Sequence, residues 1–156
     1  MKHFNLNIAN IEYNMEYKSL DIFLSGCSGE HCENCHNPEL WDFTVGSEYN
    51  QEYADRIVSQ INDFDLLIEN VFIMGGEPLQ SPTESLRHLL RTIKTKTNKA
   101  TWLFTRFDLK DVPSNILYYC NYVKCGKFIP NSKSTEHYGV KLASDNQIIY
   151  KRGVDF

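Results

Sequence analysis

The segment Leu20-Asp21-Ile22-Phe23-Leu24-Ser25-Gly26-Cys27-Ser28-Gly29-Glu30-His31-Cys32-Glu33-Asn34-Cys35 joins an apolar run to three cysteines within nine residues, spaced C-x4-C-x2-C. The run from Leu20 to Leu24, interrupted only by Asp21, is near-continuous rather than alternating, as expected of a strand buried on both faces. Ser25-Gly26 breaks it, and the cysteines follow at once. A strand that ends in a metal-binding loop is the arrangement of α/β sheets and barrels, whose sites lie at strand C-termini.

Downstream, the same pattern returns. Val71-Phe72-Ile73-Met74 reads as a second buried strand, with Gly75-Gly76-Glu77-Pro78 at its end. Thr101 to Thr105 reads as a third and Tyr122 to Cys125 as a fourth, closed by Gly126. Between them lie helical patterns. Ser47 is a reasonable N-cap for a helix carrying Tyr53, Ala54, Ile57, Val58 and Ile61 to about Phe64. Ser81, with Pro82 at the first helical position and Glu84 completing a capping box, starts a second helix, whose inner face is Leu86, Leu89, Leu90 and Ile93. A short helix is expected around Asn115 to Tyr119. Upstream, residues 3–13 from His3 to Tyr13 read as one or two strands. The tail, Val140 to Ser144 and Ile148 to Tyr150 around Asp145-Asn146-Gln147, reads as a hairpin or two short strands, with Asn146-Gln147 as a tight turn. Strand and helix patterns alternate from residue 20 to 125, which indicates βα units around mostly parallel strands. Four or five such units make an α/β partial (open) TIM-like barrel or open sheet, not a complete barrel.

A chain of 156 residues, 42% hydrophobic and 23% charged, is expected to form one domain, residues 1–156. Formal net charge is −4 and no Lys/Arg run exceeds two residues, which argues against a general nucleic-acid binder. No apolar run has the ~18 residues of a membrane span, so no membrane partner is expected and the compartment reads as cytoplasmic. Five cysteines, three of them clustered, favour a reducing environment over a disulfide scaffold.

Three close thiolates hold a metal, and soft sulfur donors select zinc or an iron–sulfur cluster. Zinc requires a fourth ligand, for which His31 and His36 are candidates. A cubane on three cysteines leaves one iron without a protein ligand. In Gly75-Gly76-Glu77-Pro78 the glycines allow close approach of backbone to a ligand, and Glu77 suits a cationic amine. A tight strand–helix turn explains this motif equally well when it is taken alone; together with the cysteine triad it is far more specific. Thr105 and Arg106 end the third strand on the same rim. They either face a ligand or partner, or are solvated loop residues. His36 and Asn37 order the cysteine loop, Trp41 and Phe43 shield it from water, and Cys120 and Cys125 read as small buried residues.

On Phe23-Leu24-Ser25-Gly26-Cys27, Cys35-His36-Asn37-Pro38-Glu39-Leu40-Trp41, Gly75-Gly76-Glu77-Pro78 and Tyr138-Gly139-Val140-Lys141-Leu142-Ala143-Ser144, the chain resembles the radical S-adenosylmethionine (radical SAM) superfamily, and within it the anaerobic ribonucleotide reductase activating proteins. The resemblance implies a [4Fe–4S] cluster on Cys27, Cys32 and Cys35. It also implies S-adenosyl-L-methionine bound at the fourth iron beside Gly75, Gly76, Glu77 and Thr105, with no catalytic side chain beyond these cofactors. It implies an electron from a donor such as flavodoxin, cleavage to methionine and a 5′-deoxyadenosyl radical, and a glycyl radical installed on an anaerobic ribonucleoside-triphosphate reductase. Two features depart from that family. Its usual spacing is C-x3-C-x2-C, whereas Ser28 to His31 make a gap of four, which Gly29 makes easy to accommodate. Many of its members carry Asp-Gly where Cys125-Gly126 stands.

Two rivals remain at this stage. One is another small radical-SAM enzyme, acting on a different glycyl radical enzyme or on a small molecule such as a deazapurine precursor. The other is a zinc-stabilised binding module without catalysis.

Overall fold

The computed structural model describes residues 4–156, so the expected strand beginning at His3 is assessed from Phe4 onward. Its frame is one seven-stranded sheet. β1 (Asn7–Asn14), β2 (Ser19–Leu24), β3 (Ser47–Glu48), β4 (Asn70–Gly75), β5 (Ala100–Phe104), β6 (Tyr122–Cys125) and β9 (Ile148–Lys151) run in the order β3-β1-β2-β4-β5-β6-β9. The four central strands, β2, β4, β5 and β6, are parallel, and antiparallel strands flank them on both sides. A separate two-stranded ribbon pairs β7 (Thr135–His137) with β8 (Val140–Leu142). The fold is therefore mixed α/β with parallel strands at its centre.

Each parallel connection carries a helix: α1 (Gln51–Asp63) before β4, α2 (Thr83–Lys96) before β5 and the single turn α3 (Ser114–Leu117) before β6. Leu20, Ile22, Leu24, Val71, Ile73, Leu103 and Val123 face these helices. There they meet Ala54, Ile57 and Ile61 of α1 and Leu86, Leu89, Leu90 and Ile93 of α2 in the main core. Alternate strand residues supply the other face. Phe72 and Trp102 pack with Val140, Leu142 and Ile149, so the β7–β8 ribbon covers the lower part of that face. The ribbon is tied to the β1–β2 turn by Lys141 N donating to Tyr17 Oη (3.1 Å) and by the Lys141–Glu16 ion pair (3.2 Å). The upper part, at the C-terminal ends of the parallel strands, is left for a cavity.

Two helix caps expected from the sequence are corrected here, and two open alternatives are resolved. Ser47 does not cap α1: Ser47 and Glu48 are extended as β3, paired with Ile8 and Asn7. The chain stays extended to bury Tyr49, whose hydroxyl meets His88 Nδ1 at 2.7 Å, and Asn50 then caps α1 by accepting from Tyr53 N (2.8 Å). Ser81 does not cap α2 either. Pro78–Gln80 form a 3-10 turn that ends on Ser81, and the helix begins at Thr83 with Pro82 at the cap position and no side-chain cap bond. The region read as one or two strands is the single β1. The tail is two strands rather than a hairpin, because β8 pairs with β7 while β9 pairs with β6.

Candidate metal and cofactor site

Register places the cysteine loop. In the β2–β4 ladder Leu24 stands opposite Gly75, so Gly26-Cys27 and Gly76-Glu77 leave the sheet side by side. They are joined directly: Gly76 N donates to Leu24 O (2.9 Å) and Glu77 N to Gly26 O (2.7 Å). The turn at Pro38–Trp41 completes the seam, its Leu40 and Trp41 carbonyls accepting from Gly26 N (2.8 Å) and Cys27 N (3.1 Å). Gly75 has φ +126°, a conformation that side chains disfavour. A β-carbon at Gly76 would stand 2.7 Å from the Leu40 carbonyl oxygen and nearer still to that of Gly26. Both glycines are therefore required by close backbone packing.

A cavity of about 330 Å³ opens where these loops meet. Cys27, Cys32 and Cys35 line it on one side and Gly75, Gly76 and Glu77 on another. Thr105, Arg106 and Lys124 come from the ends of β5 and β6, and Phe23, Met74 and Phe104 supply apolar wall. Every residue singled out in the sequence as a cluster or cofactor ligand thus borders one space.

Glu77 is only 1% exposed, yet it is well solvated by protein. It accepts from Thr105 Oγ1 on both oxygens (2.8 and 2.9 Å), from Arg106 N (2.7 Å) and from Leu79 N (2.8 Å). Burial raises its pKa, and these hydrogen bonds pull the other way. The carboxylate pins the start of the 3-10 turn to the end of β5, and its remaining reach is toward the cavity it lines. Replacing Thr105 by Val keeps the shape but removes a donor to a buried carboxylate. An expected loss of about 2 kcal/mol follows, measurable by denaturant unfolding of the apoprotein.

The Ser28–His31 gap is held by side chains from other loops. Arg106 Nη1 donates to Glu30 O and Nη2 to Ser28 O, both at 2.6 Å. Gln80 pairs with the Ser28 backbone in both directions, Oε1 accepting from Ser28 N (2.7 Å) and Nε2 donating to Ser28 O (3.0 Å). Gly29 takes φ +83°, a conformation open to glycine. His31 Nε2 donates to Cys27 O (2.6 Å) while its ring stacks on Trp41 with centroids 3.9 Å apart. His31 is thereby occupied in closing the loop, and His36 packs on Phe128 (4.8 Å). Burial raises the pKa of the Cys27 thiol, with Arg106 opposing it.

Lys124 went unnoticed in the sequence. It lies one residue before Cys125 and on the opposite face of β6, lining the cavity while Cys125 is buried against the helices. Its Nζ donates to Gly126 O (3.2 Å), and burial lowers its pKa against the pull of Glu77, Cys125 and Cys32. The sequence signal was a charged residue inside a four-residue strand with apolar neighbours. Burial pushes the Cys125 thiol up to about 12, so it behaves as a small apolar group. Asn146 and Gln147 do more than turn: Asn146 Nδ2 donates to Lys127 O (2.9 Å) and Gln147 Nε2 to Gly126 O (3.1 Å), strapping the tail against the cavity rim.

Three thiols on one loop, bordering a cavity at the ends of parallel strands, define the class. Residues 18–150 match the 4Fe-4S single cluster domain family, and the chain belongs to it. Similar curated proteins are the anaerobic ribonucleoside-triphosphate reductase-activating proteins of Vibrio cholerae, Haemophilus influenzae and Escherichia coli, at 29%, 26% and 25% identity. Each alignment spans 83% of this chain and 85% of the relative. Among the described residues no helix is long and apolar enough to cross a membrane.

Among the described residues, also, no three His, Cys, Asp or Glu side chains stand close enough to share one metal ion. A cubane asks for a different arrangement, in which each thiolate takes its own iron. The donor set fits such a cluster: three sulfurs border an open cavity, His31 is bonded to Cys27 O, and His36, which also borders the cavity, packs its ring on Phe128.

Proposed function

We propose that this chain is a radical-SAM activase: a [4Fe–4S] cluster on Cys27, Cys32 and Cys35 would supply the electron that cleaves S-adenosylmethionine, leading to a glycyl radical on an anaerobic ribonucleoside-triphosphate reductase. The observation that carries this reading is the shared cavity of the cysteine loop and the Gly75-Gly76-Glu77 loop, in a chain of the 4Fe-4S single cluster family. The names of the relatives supply the reductase as partner.

In this reading the chain binds, orients and excludes water. The thiolates of Cys27, Cys32 and Cys35 hold the cluster, with no histidine among the ligands. The amides of Gly76 and Glu77 are spent on Leu24 and Gly26, so the loop offers carbonyl oxygens and the Glu77–Thr105 pair to a cationic amino group. Lys124 offers positive charge to a carboxylate. Phe23, Met74 and Phe104 keep one wall dry, and the sheet with its helices curves as an open barrel whose unfilled side admits a loop of the reductase. The electron donor is a flavodoxin-like protein, the setting is the cytoplasm, and no nucleic acid is required.

Anaerobic reconstitution should give a brown protein with about four irons per chain. Mixed with S-adenosylmethionine, reductant and the candidate reductase, it should produce a glycyl-radical doublet in the EPR spectrum. A colourless protein with a single zinc defeats the whole reading. Cleavage of S-adenosylmethionine without the doublet defeats only the stated substrate, and leaves another small radical-SAM enzyme in its place.

A further inference from the structure

The Ser28–His31 gap carries three exposed residues, Ser28, Gly29 and Glu30, and left alone such a stretch would fray. Three carbonyls in and beside it are instead held: Cys27 O by His31, Ser28 O by Arg106 and Gln80, and Glu30 O by Arg106. Arg106 is the only one of these residues that grips two carbonyls at once, using the planar fork of its guanidinium. Its backbone amide is also bonded to Glu77 Oε1 at 2.7 Å, and Glu77 is bonded to Thr105. One residue therefore connects the cysteine loop, the end of β5 and the Gly75-Gly76-Glu77 loop.

We propose that Arg106 is a positioning residue that sets the separation of Cys27 and Cys32 by clamping the Ser28 and Glu30 carbonyls, and that registers the cysteine loop against Glu77. The inference rests on the proposed reading that these cysteines hold a cluster. Gly29 is what makes the two-point grip possible. Its φ of +83°, a backbone conformation that favours glycine, turns the chain between Ser28 and Glu30. Nearby charge adds little, since Glu30 meets Lys127 across 3.5 Å with its own side chain 91% exposed.

The test has two arms. In the metal-free protein, amide hydrogen exchange is followed across residues 28–32 and, as control, across α1 and α2. Arg106→Gln should speed exchange in the loop about tenfold and leave the helices unchanged, while Arg106→Lys, which cannot fork, should fall between it and the parent. Uniform acceleration across the helices would make Arg106 a general stabiliser and overturn the proposal. Arg106→Lys matching the parent would overturn it too, because charge alone would then suffice.

In the reconstituted protein, loss of visible absorption to an iron chelator is timed in the parent, in Arg106→Gln, in a Gly29 deletion and in the double variant. Arg106→Gln should lose its cluster about tenfold faster in the parent background and less than about twofold faster once Gly29 is gone. An equal effect in both backgrounds, or none in the parent, overturns the proposal; if the deletion does not fold, the exchange arm and Arg106→Lys decide. A parent protein that takes up no iron defeats the cluster reading instead, and the exchange arm still reports on the clamp.

Discussion

Cys32→Ala is expected to leave the protein almost free of iron after anaerobic reconstitution, while Cys120→Ala keeps about four irons per chain and its brown colour. Both substitutions remove one thiol, so total cysteine content cannot explain a difference. Cys32 borders the cavity beside Cys27 and Cys35. Cys120 is fully buried in the helix-side core, its thiol donating to Ile116 O at 3.5 Å, and burial pushes its pKa up to about 12. A thiol so resistant to ionisation is a poor ligand, and its loss removes only one small packed atom, costing about 1 kcal/mol. Iron assay and visible absorption of the two variants side by side decide the matter. Equal iron content in both would assign the cluster to other thiols.

Gly76→Ala should be among the most damaging small substitutions in the fold. The added methyl meets the carbonyls of Gly26 and Leu40, which are backbone atoms anchored by Glu77 N and Gly26 N and cannot swing aside as a flexible side chain would. Relief requires separating the ends of β2 and β4, which breaks the seam on which the cysteine loop stands. A loss of about 3 kcal/mol or more in apoprotein stability is expected, a large fraction of what a domain this size has. Urea unfolding of the metal-free variant measures it. A loss below about 1 kcal/mol would show that the seam yields cheaply.

The central strands were legible because burial makes each a mostly apolar run, with a charge only at Asp21 in β2 and Lys124 in β6, and Tyr122 to Cys125 coincides with β6 to the residue. The thiols and Gly75-Gly76-Glu77 were legible for a different reason: the parallel register of β2 with β4 brings consecutive strand ends together without any long-range guess. What failed was local. Ser47 looks like a cap, but burial of Tyr49 keeps the chain extended past it. Ser81 looks like a cap, but Glu77 accepting from Leu79 N starts a 3-10 turn first, and the Ser81 hydroxyl ends buried with no hydrogen-bond partner among the described residues. The β7–β8 ribbon was half unseen because Thr135-Glu136-His137 is short and polar, and its pairing depends on residues that follow it. Arg106 was visible as a rim residue. Its grip on Ser28 and Glu30 was not, because that contact spans more than seventy positions of sequence.

The cavity wall has a history as well as a shape. Its thiols lie at positions 27 to 35, whereas Lys141, Leu142, Ala143 and Gln147, which complete its rim, are encoded far later. From Cys35 to Lys141 is 106 positions (141 − 35), or roughly 5 to 20 s of ribosomal elongation. Throughout that interval the nascent chain presents its three thiols on a loop without its final enclosure. Premature termination after Gly126 would therefore yield a fragment with every cysteine and glycine of the site and none of the tail that walls it in.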